Sequence, residues 1–326
     1  MILAVDGGNS KTDIALVEPD GAVVAHARGP LSSPHHLGLD GCLDVLQRLV
    51  DEAGLDGRRA DVAQVMIAGV DFPEEEEELR RALSGRGWAA TTHVANDTFA
   101  VLRAGTERGW GVAITCGAGI NCVGVAPDGR HVRFPALGSI SGDWGGGYDV
   151  GMAGLSAAAR SEDGRGPSTR LQRLVPAHFG EDTPLAVAHA IHIGRIPQRR
   201  VLELAPVVLR AAAGDAVAAS IRDRLVDELV ALVRATVTRL GLQSEQVDVV
   251  VGGGLMRRAD SELLGRIESG LQRVGPRLVL RRTTAPPIVG AALLGLDAIG
   301  AGGDAQARVR RELSARVERH ERQAVA

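Results

Sequence analysis

Two stretches of the sequence share one pattern, in which short apolar runs flank a glycine-rich turn. The first covers residues 2–27, and the second runs from Gly109 to Phe134. In both, a Pro-Asp-Gly turn then separates the second apolar run from a third, at Pro19–Gly21 and at Pro127–Gly129. Short apolar runs broken by such turns predict three consecutive strands. The recurrence predicts an internal duplication, and therefore two related halves.

The rest of the first half alternates apolar runs with helical patterns. Gly29–Gly38 predicts a loop before a helix, and Asp61–Val70 predicts a buried strand. Pro73 predicts the start of a second helix, because proline fits the first helical turn. Thr91–Asp97 predicts a strand that ends in two polar residues. This alternation is typical of an α/β domain.

The second half continues in the same way after its three strands. Helical spacing extends to about residue 240, and strands are predicted at Val247–Leu255 and Arg277–Arg282. A proline pair opens a predicted helix at Pro286–Leu296. The tail carries one thin apolar stripe, which consists of Val309, Leu313 and Val317. We expect this last helix to pack on the body of the protein.

Composition excludes several classes of protein. The 326 residues suggest two domains of roughly 150 residues each. A net charge of −3 provides no field for nucleic acid or an anionic membrane. No apolar run reaches the roughly 20 residues that span a bilayer, and the N-terminus shows no signal peptide. The sparse cysteines, Cys42, Cys116 and Cys122, fit a reducing cytosol. We therefore expect a cytoplasmic protein that binds neither nucleic acid nor membrane.

The first glycine-rich turn contains an acid, a bare backbone and the only lysine of the chain. Its residues are Asp6, Gly7, Gly8, Asn9, Ser10, Lys11 and Thr12. Glycines allow backbone N–H groups to approach phosphate oxygens, and a carboxylate at a strand end can hold a hydrated Mg²⁺. A plain hairpin turn would also explain the glycines. The turn is not a P-loop, since it lacks that motif and no helix follows.

Two further glycine runs follow strands in the second half. Gly117, Ala118, Gly119 and Asn121 lie in the turn that matches the first one. Gly252, Gly253 and Gly254 end a buried strand, where they allow close approach of a flat ligand or of a neighbouring helix. Two matching turns could hold a polyphosphate from both sides. Unrelated hairpins and simple packing are the alternatives.

Polar residues at the ends of elements could carry the chemistry. Asn96 and Asp97 end a strand, and Asp143 lies among glycines. Together with Asp6 they suit phosphoryl transfer, in which one carboxylate acts as base and others hold Mg²⁺. Asp97 and Asp143 also precede helical stretches, so helix N-caps are a serious alternative. His35 and His36 lie in a predicted loop that could face a substrate cleft.

Six motifs in order make the chain resemble one family over about residues 1–300. They are DGGNSKTDIAL, the Asn96-Asp97 pair, GAGINCVGVAPDG, SGDWGGGY, VVGGGL and PPIVGAALL. The chain resembles the N-acetylglucosamine kinase and BadF/BadG/BcrA/BcrD ATPase family of the actin, sugar-kinase and chaperone superfamily. The resemblance implies an α/β fold with two ribonuclease-H-like (actin-like ATPase) domains and a ligand cleft between them. We expect residues 1–106 and 107–296 as domains, with helix 297–326 returning to the first.

The resemblance also implies roles for the residues. The turn from Asp6 to Thr12 would be the first phosphate loop, and Gly117–Asn121 would be the second. Gly252–Gly254 would lie against adenosine. Asp97 would take the proton from the 6-hydroxyl of a sugar, while Asp143 would contact sugar hydroxyls or help to hold Mg²⁺. Asn96, Gly117, His35 and His36 complete the expected sugar site.

Three departures from the family pattern affect the sugar rather than the phosphates. The usual GTGS of the second loop is Gly117-Ala118-Gly119-Ile120, so two hydroxyls are absent. The acid that normally follows Asp143 is replaced by Trp144. Pro34 stands where related kinases often have an asparagine that reaches the sugar. Phosphate binding by backbone N–H groups is expected to survive, whereas the identity of the sugar is left open.

The sequence thus predicts an ATP- and Mg²⁺-dependent kinase that phosphorylates the 6-hydroxyl of an amino sugar. N-acetylglucosamine or a related hexosamine is the expected acceptor, and a homodimer is expected from the family. One alternative is an ATPase that activates an acyl-CoA dehydratase or reductase, although the three cysteines do not match its [4Fe–4S] motifs. The other is a nucleotide-binding regulator without catalysis.

Overall fold

A computed structural model describes residues 1–323, and the last three residues of the predicted C-terminal helix lie outside the described part. The first half contains β1 (Ile2–Gly7), β2 (Thr12–Val17), β3 (Val23–Gly29), β4 (Ala60–Ile67) and β5 (Ala89–Asn96). Its helices are α1 (Pro34–Glu52), α2 (Pro73–Ser84) and α3 (Thr98–Gly105). All five strands lie close to their predicted positions.

The second half contains β6 (Gly111–Cys116), β7 (Ile120–Val125), β8 (His131–Arg133), β9 (Val247–Gly252) and β10 (Leu278–Arg282). Its helices are α4 (Gly146–Glu162), α5 (Leu171–Phe179), α6 (Pro184–His192), α7 (Ala205–Ala211), α8 (Ala216–Leu240), α9 (Gly254–Arg257) and α10 (Ser261–Val274). Short 3₁₀ helices occupy Gly138–Ile140 and Gln198–Leu204. Two helices end the described chain, α11 (Pro287–Ala298) and α12 (Gly303–Gln323).

The two sheets have the same topology, which confirms the predicted duplication. Their strand orders are β3-β2-β1-β4-β5 and β10-β9-β6-β7-β8. In each half the first three strands pair antiparallel, and the fourth strand lies parallel beside the first. Parallel pairing aligns the carboxyl ends of β1, β4 and β5, since Gly7 pairs with Ile67 and Ile67 pairs with Asn96. Residues that follow these strands therefore meet at one edge.

Two helices lie between the sheets and cross there. The helix α3, from the first half, packs on β6 and β9 of the second sheet, where Val101 and Leu102 contact Ala113 and Val250. The helix α11 packs on β1 and β4 of the first sheet. The sequence prediction placed residues 287–296 with the second domain, whereas this helix and α12 both return to the first sheet. Apolar clusters on the outer faces of the sheets complete the cores.

One predicted loop is wrong. Gly29–Gly38 was expected to be irregular, but α1 begins at Pro34, which occupies the first helical turn. The helix is kinked at Gly38, where φ is 68°. The proline starts the helix earlier than the apolar spacing indicated, so His35 and His36 lie in its first turn.

Within residues 1–323, no single helix is both long and apolar enough to cross a membrane. One strongly bent pair of helices, Gln198–Ala211 with Ala216–Leu240, passes the same test by length and composition only.

The apolar stripe of α12 gives a stability prediction. Leu313 is fully buried against the first sheet, together with Val309 and Val317. Leu313→Ala should lower the free energy of unfolding by about 2–5 kcal/mol, because truncation leaves a cavity. Urea titration followed by circular dichroism measures this. Arg311→Ala, on the exposed side of α12, is the matched control, and equal stability of the two variants would contradict the packing.

Candidate active site

The three glycine-rich turns converge on one crevice between the sheets. Ser10 from the first turn, Gly117 and Ala118 from the second, and Gly254 from the third line this crevice. Gly253 has a φ of 92°, and a Cβ there would lie 2.4 Å from the carbonyl oxygen of Cys116. Only glycine therefore permits the third turn to pack so closely on the second. The structure brings together stretches that are more than a hundred residues apart.

The second turn is held by the start of α4. The Gly147 and Tyr148 N–H groups donate to the carbonyls of Gly117 and Ala118, at 2.8 and 2.9 Å. Gly146 has a φ of 75°, and a Cβ there would lie 2.4 Å from the carbonyl oxygen of Gly119. The start of α4 therefore holds the carbonyl groups of the second turn in place. Within residues 1–323 the N–H groups of Ala118 and Gly119 donate to no protein acceptor. Free N–H groups of this kind suit an anion.

The first turn is built in a similar way. The Gly8 N–H donates to the carbonyl of Lys11 at 2.9 Å, and the carbonyl of Gly7 accepts from Ala68 at 2.7 Å. In the described part of the chain, the N–H groups of Asn9 and Ser10 have no acceptor. The first turn therefore has the local shape of a hairpin, as the alternative predicted. That alternative does not account for two N–H groups without an acceptor, one of which belongs to Ser10 at the crevice.

A buried carboxylate anchors the only lysine. Lys11 Nζ lies 3.0 Å from Asp13 Oδ2. Asp13 also accepts from Arg28 at 2.7 and 2.9 Å and contacts His26 Nε2 at 2.8 Å. Burial alone would raise the pKa of Asp13, but the hydrogen bonds from His26 and Arg28 hold it well below its usual range. Sequence reasoning missed this cluster, although the acid two residues after Lys11 was a signal.

Asp6 is the next-to-last residue of β1, and the charges of Asp13, Lys11 and Asp97 act on it. Its side chain is buried, and no hydrogen bond within the described chain satisfies its carboxylate. Burial, and then the charges of Asp13 and Asp97, raise its pKa well above the ordinary value. A buried carboxylate without a partner fits a nearby cation. Residues 1–323 contain no group of three or more His, Cys, Asp or Glu that could hold a metal. A metal at Asp6 would therefore keep most of its waters, as Mg²⁺ commonly does.

Asp97 precedes α3 but does not cap it. Its backbone is already helical, and its carboxylate accepts no capping bond. Asn96 caps the helix instead, because its Oδ1 accepts from the Thr98 N–H at 3.0 Å. The N-cap alternative is therefore wrong for Asp97, whose carboxylate accepts only from the Thr98 hydroxyl, at 3.4 Å, among the described side chains. Burial, and then the charge of Asp71, raise the pKa of Asp97 to about 6.

Amides and a carboxylate form a polar network beside Asp97. Asn96 Nδ2 donates to Asp71 Oδ1 at 2.9 Å. Asn121 Nδ2, from the second sheet, donates to Asn96 Oδ1 at 3.2 Å, so the network crosses the cleft. Sequence reasoning missed Asp71. It follows β4, which lies between β1 and β5, so its position at the end of a buried strand could have identified it.

Asp143 and the histidines lie around this network. Asp143 accepts from Ser141 Oγ at 2.5 Å and adds to the negative charge around Asp71. It does not cap α4, since Asp149 accepts the Gly145 N–H at 2.9 Å. His35 Nε2 lies 3.8 Å from Glu75 Oε1, and its charge also acts on Asp71. His36 is exposed in the same turn, and no contact in the described chain links its side chain to Asp97.

A direct ion pair spans the cleft near Asp71. Arg133 of β8 binds Glu76 of α2, and both side chains are largely buried. The second and first sheets are therefore joined at the rim of the cleft as well as by the crossed helices. The short strand that carries Arg133 gave no signal of its partner.

Curated relatives of this chain are sugar kinases. The N-acetylmuramic acid/N-acetylglucosamine kinase of Clostridium acetobutylicum is 28% identical over 261 residues, which cover 78% of this chain and 85% of the relative. The N-acetyl-D-glucosamine kinase of Dictyostelium discoideum is 25% identical over 316 residues, which cover 91% and 98%.

Solved structures share the fold. A Chromobacterium violaceum crystal structure, designated a candidate N-acetylglucosamine kinase, is 27% identical and has a TM-score of 0.69, with 90% of this chain and 98% of the other covered. A ROK family glucokinase from Streptomyces griseus, solved with glucose and AMPPNP, is 14% identical with a TM-score of 0.53 and covers 91% of this chain and 99% of its own. The latter likeness concerns the fold alone. The predicted fold class, with two actin-like ATPase domains, is confirmed.

The family model of the BadF/BadG/BcrA/BcrD ATPases matches residues 3–295. This range includes all three glycine-rich turns, Asp97 and the network around Asn96. It ends within α11, the helix that crosses α3. The chain belongs to the BadF/BadG/BcrA/BcrD ATPase family.

Proposed function

We propose that this protein is an ATP-dependent kinase that transfers the γ-phosphoryl group to the 6-hydroxyl of an amino sugar. N-acetylglucosamine or a related hexosamine is the proposed acceptor. The observation that carries the proposal is the position of Asp97. Its carboxylate makes no N-cap bond to the helix it precedes, it accepts only from the Thr98 hydroxyl at 3.4 Å among the described side chains, and its charge acts on Asp6 while that of Asp71 acts on it. The names of the curated relatives support the choice of sugar.

Phosphate binding falls to the backbone of the first two turns. The N–H groups of Asn9, Ser10, Ala118 and Gly119 have no acceptor within the described chain, and Ser10 and Ala118 both line the crevice. Backbone donors placed before the reaction stabilise charge that develops on the phosphoryl oxygens. The missing hydroxyls of the usual GTGS turn do not remove these donors. Gly252–Gly254 would lie against the adenosine, as the family resemblance implies.

Asp97 would act as the general base. With a pKa of about 6 it is mostly ionised at pH 7, and it remains basic enough to accept a proton. It would take the proton from the 6-hydroxyl as the oxygen bonds to the γ-phosphorus and the bond to ADP breaks. Closure of the two domains would keep water from this phosphoryl group. This arrangement favours the sugar hydroxyl over water as the acceptor.

Asp6 is the residue that would hold Mg²⁺, through water. The metal would supply positive charge to the β- and γ-phosphates. Asp6 has the buried, unpartnered carboxylate that such a role requires. The proposal thus includes Mg²⁺ together with ATP.

The network beside Asp97 would bind the sugar. Asn96, Asp71 and Asn121 offer donors and acceptors for hydroxyl groups, and Asp143 and His35 lie at its rim. His36 is the least supported member of the predicted set, because its side chain is exposed. A homodimer and a cytoplasmic location remain part of the proposal. They rest on the family resemblance and on the sparse cysteines.

The two alternatives have less support. An activator of acyl-CoA dehydratases needs cysteines that can hold a [4Fe–4S] cluster at an interface. Here Cys42, Cys116 and Cys122 are all buried, and burial raises the pKa of their thiols to about 12. A silent regulator would not need a half-buried carboxylate that makes no N-cap bond to its helix. The position of Asp97 therefore favours catalysis.

A panel of sugars tests the proposed function. ADP release from ATP and Mg²⁺ should depend on an added sugar, with N-acetylglucosamine or another hexosamine as the best acceptor. N-acetylmannosamine, N-acetylmuramic acid, glucose and a reaction without sugar complete the panel. Equal release with and without every sugar would refute the kinase and would favour an ATPase cycle.

Removal of the base gives a second prediction. Asp97→Asn should lower kcat by about 10²–10⁴-fold, which is the usual contribution of general base catalysis. Affinity for ADP should change little. The coupled ADP assay measures the first quantity and calorimetry the second. Asp182→Asn, at an exposed loop, is the control for loss of one carboxylate. Full sugar-dependent activity in Asp97→Asn would show that another group is the base.

The same carboxylate predicts the pH dependence. Only the ionised form of Asp97 can accept a proton, so kcat/KM should be constant above its pKa and should fall below it. The fall should begin near pH 6 and approach tenfold per pH unit. In Asp97→Asn this limb should disappear. A wild-type profile that stays flat down to pH 4.5 would contradict the assignment.

The contact between α4 and the second turn gives a further prediction. Gly146→Ala should weaken ADP binding by at least about tenfold, since its Cβ would push against the Gly119 carbonyl and move the turn. Gly164→Ala has a similar φ of 78° but no atom within 4 Å, so it controls for backbone strain alone. Calorimetry with ADP and Mg²⁺ compares the two. Equal affinities would mean that the turn does not bind the nucleotide.

A further inference from the structure

The cations near the first turn are already paired within the protein. Lys11 and Arg28 both bind Asp13, and both also lie near Glu321 of α12, at 3.8 and 3.3 Å. Their positive charge is therefore largely balanced by these two carboxylates. A nucleoside triphosphate brings about four negative charges to this crevice. Backbone N–H groups alone leave that charge without a side-chain counterpart.

Arg257 stands in the crevice with an unpaired guanidinium. It follows the third glycine turn and lines the crevice on the side of Ser10 and Gly117. It also lines the adjoining cleft that contains Lys11 and Gly253. Within residues 1–323 its side chain has no carboxylate within 4.0 Å and donates no hydrogen bond. Arg257 thus borders the region where both phosphate turns meet, and its charge is available.

The backbone of Arg257 is fixed although its side chain is exposed. Its N–H donates to the Gly253 carbonyl at 3.0 Å, and its own carbonyl accepts from Arg282. The preceding Leu255 and Met256 are buried. The base of the side chain is therefore held at the third turn. A guanidinium placed in this way can bind two phosphate oxygens at once.

The neighbouring Arg258 also lines the crevice with Ser10 and Gly117. Its other surroundings differ, because it lines a recess that contains Arg210, Asp260 and Glu262. Of the two adjacent arginines, only Arg257 also lines the cleft that contains Lys11.

We propose that Arg257 binds the polyphosphate of the nucleotide directly and provides the side-chain charge that Lys11 does not. The inference rests on the proposed function only in taking the crevice as a nucleotide site. It adds a substrate-binding residue outside the three glycine turns. A guanidinium at this place should recognise the β-phosphate rather than the adenosine.

Nucleotide affinities without sugar test this inference. Calorimetry with Mg²⁺ would measure ADP and AMP binding to the wild type, Arg257→Ala, Arg257→Lys and Arg273→Ala. Arg273 is an exposed arginine of α10 whose side chain contacts only its own helix, so it controls for loss of one positive charge. Thermal unfolding would check that the variants are folded.

Arg257→Ala should weaken ADP binding by about 10- to 100-fold, which is typical for loss of a charge-assisted hydrogen bond. Its affinity for AMP should change less than about threefold. Arg257→Lys should recover part of the loss, and Arg273→Ala should match the wild type. Unchanged ADP affinity, or equal losses for ADP and AMP, would overturn the inference.

Failure of the Arg257 inference can be distinguished from failure of the proposed kinase function. A wild type that binds ADP through Arg257 but phosphorylates no sugar would keep this inference and refute the kinase. If the wild type phosphorylates a sugar while Arg257→Ala keeps full ADP affinity, the kinase proposal stands and this inference is refuted. A wild type that binds no nucleotide would refute both.

Discussion

The crossing of α3 and α11 sets the geometry on which the site depends. A Cβ at Gly290 of α11 would lie 1.8 Å from the carbonyl oxygen of Ala100 in α3, so the two helices touch through their backbones. One helix packs on each sheet, and their contact fixes the distance between the sheets. Asp97 lies immediately before α3. It therefore lies between β5 of the first sheet and a helix that packs on the second sheet.

The site concentrates negative charge that the protein does not neutralise. Asp6 is buried and Asp97 is half-buried, and both have raised pKa values because desolvation and neighbouring carboxylates disfavour their charged forms. A cation near Asp6 would lower its pKa again, since an opposite charge favours the ionised form. Asp13 differs from these two residues, because Arg28 and His26 already form hydrogen bonds with its carboxylate. Asp6 and Asp97 thus lie where the proposed substrates would bind. Asp13, whose hydrogen bonds are satisfied, supports the first glycine-rich turn.

Several features could be predicted from the sequence because their signals are local. Apolar runs, Pro-Asp-Gly turns and glycine runs placed every strand of both sheets to within a few residues. The stripe of Val309, Leu313 and Val317 predicted the packing of α12. Asp97 was identified because it ends a strand beside a polar partner. These signals do not depend on distant parts of the chain.

Other features depend on contacts between distant residues, which no local pattern encodes. Asp71 joins Asn96 across 25 positions, and Arg133 reaches Glu76 across 57. The Thr98 N–H donates to the side chain of Asn96 and not to that of Asp97, and no local pattern distinguished these two adjacent residues. Pro34 is a local signal for the start of α1, but the apolar spacing indicated a later start. The packing of α11 on the first sheet required the three-dimensional fold.

A crystal structure of the protein with a non-hydrolysable ATP analogue and N-acetylglucosamine would test the central claim most directly. The account predicts that the 6-hydroxyl lies within hydrogen-bond distance of the Asp97 carboxylate, and that the phosphates lie between residues 7–12 and 117–121. A sugar bound away from Asp97, with its hydroxyl far from the γ-phosphate, would contradict it.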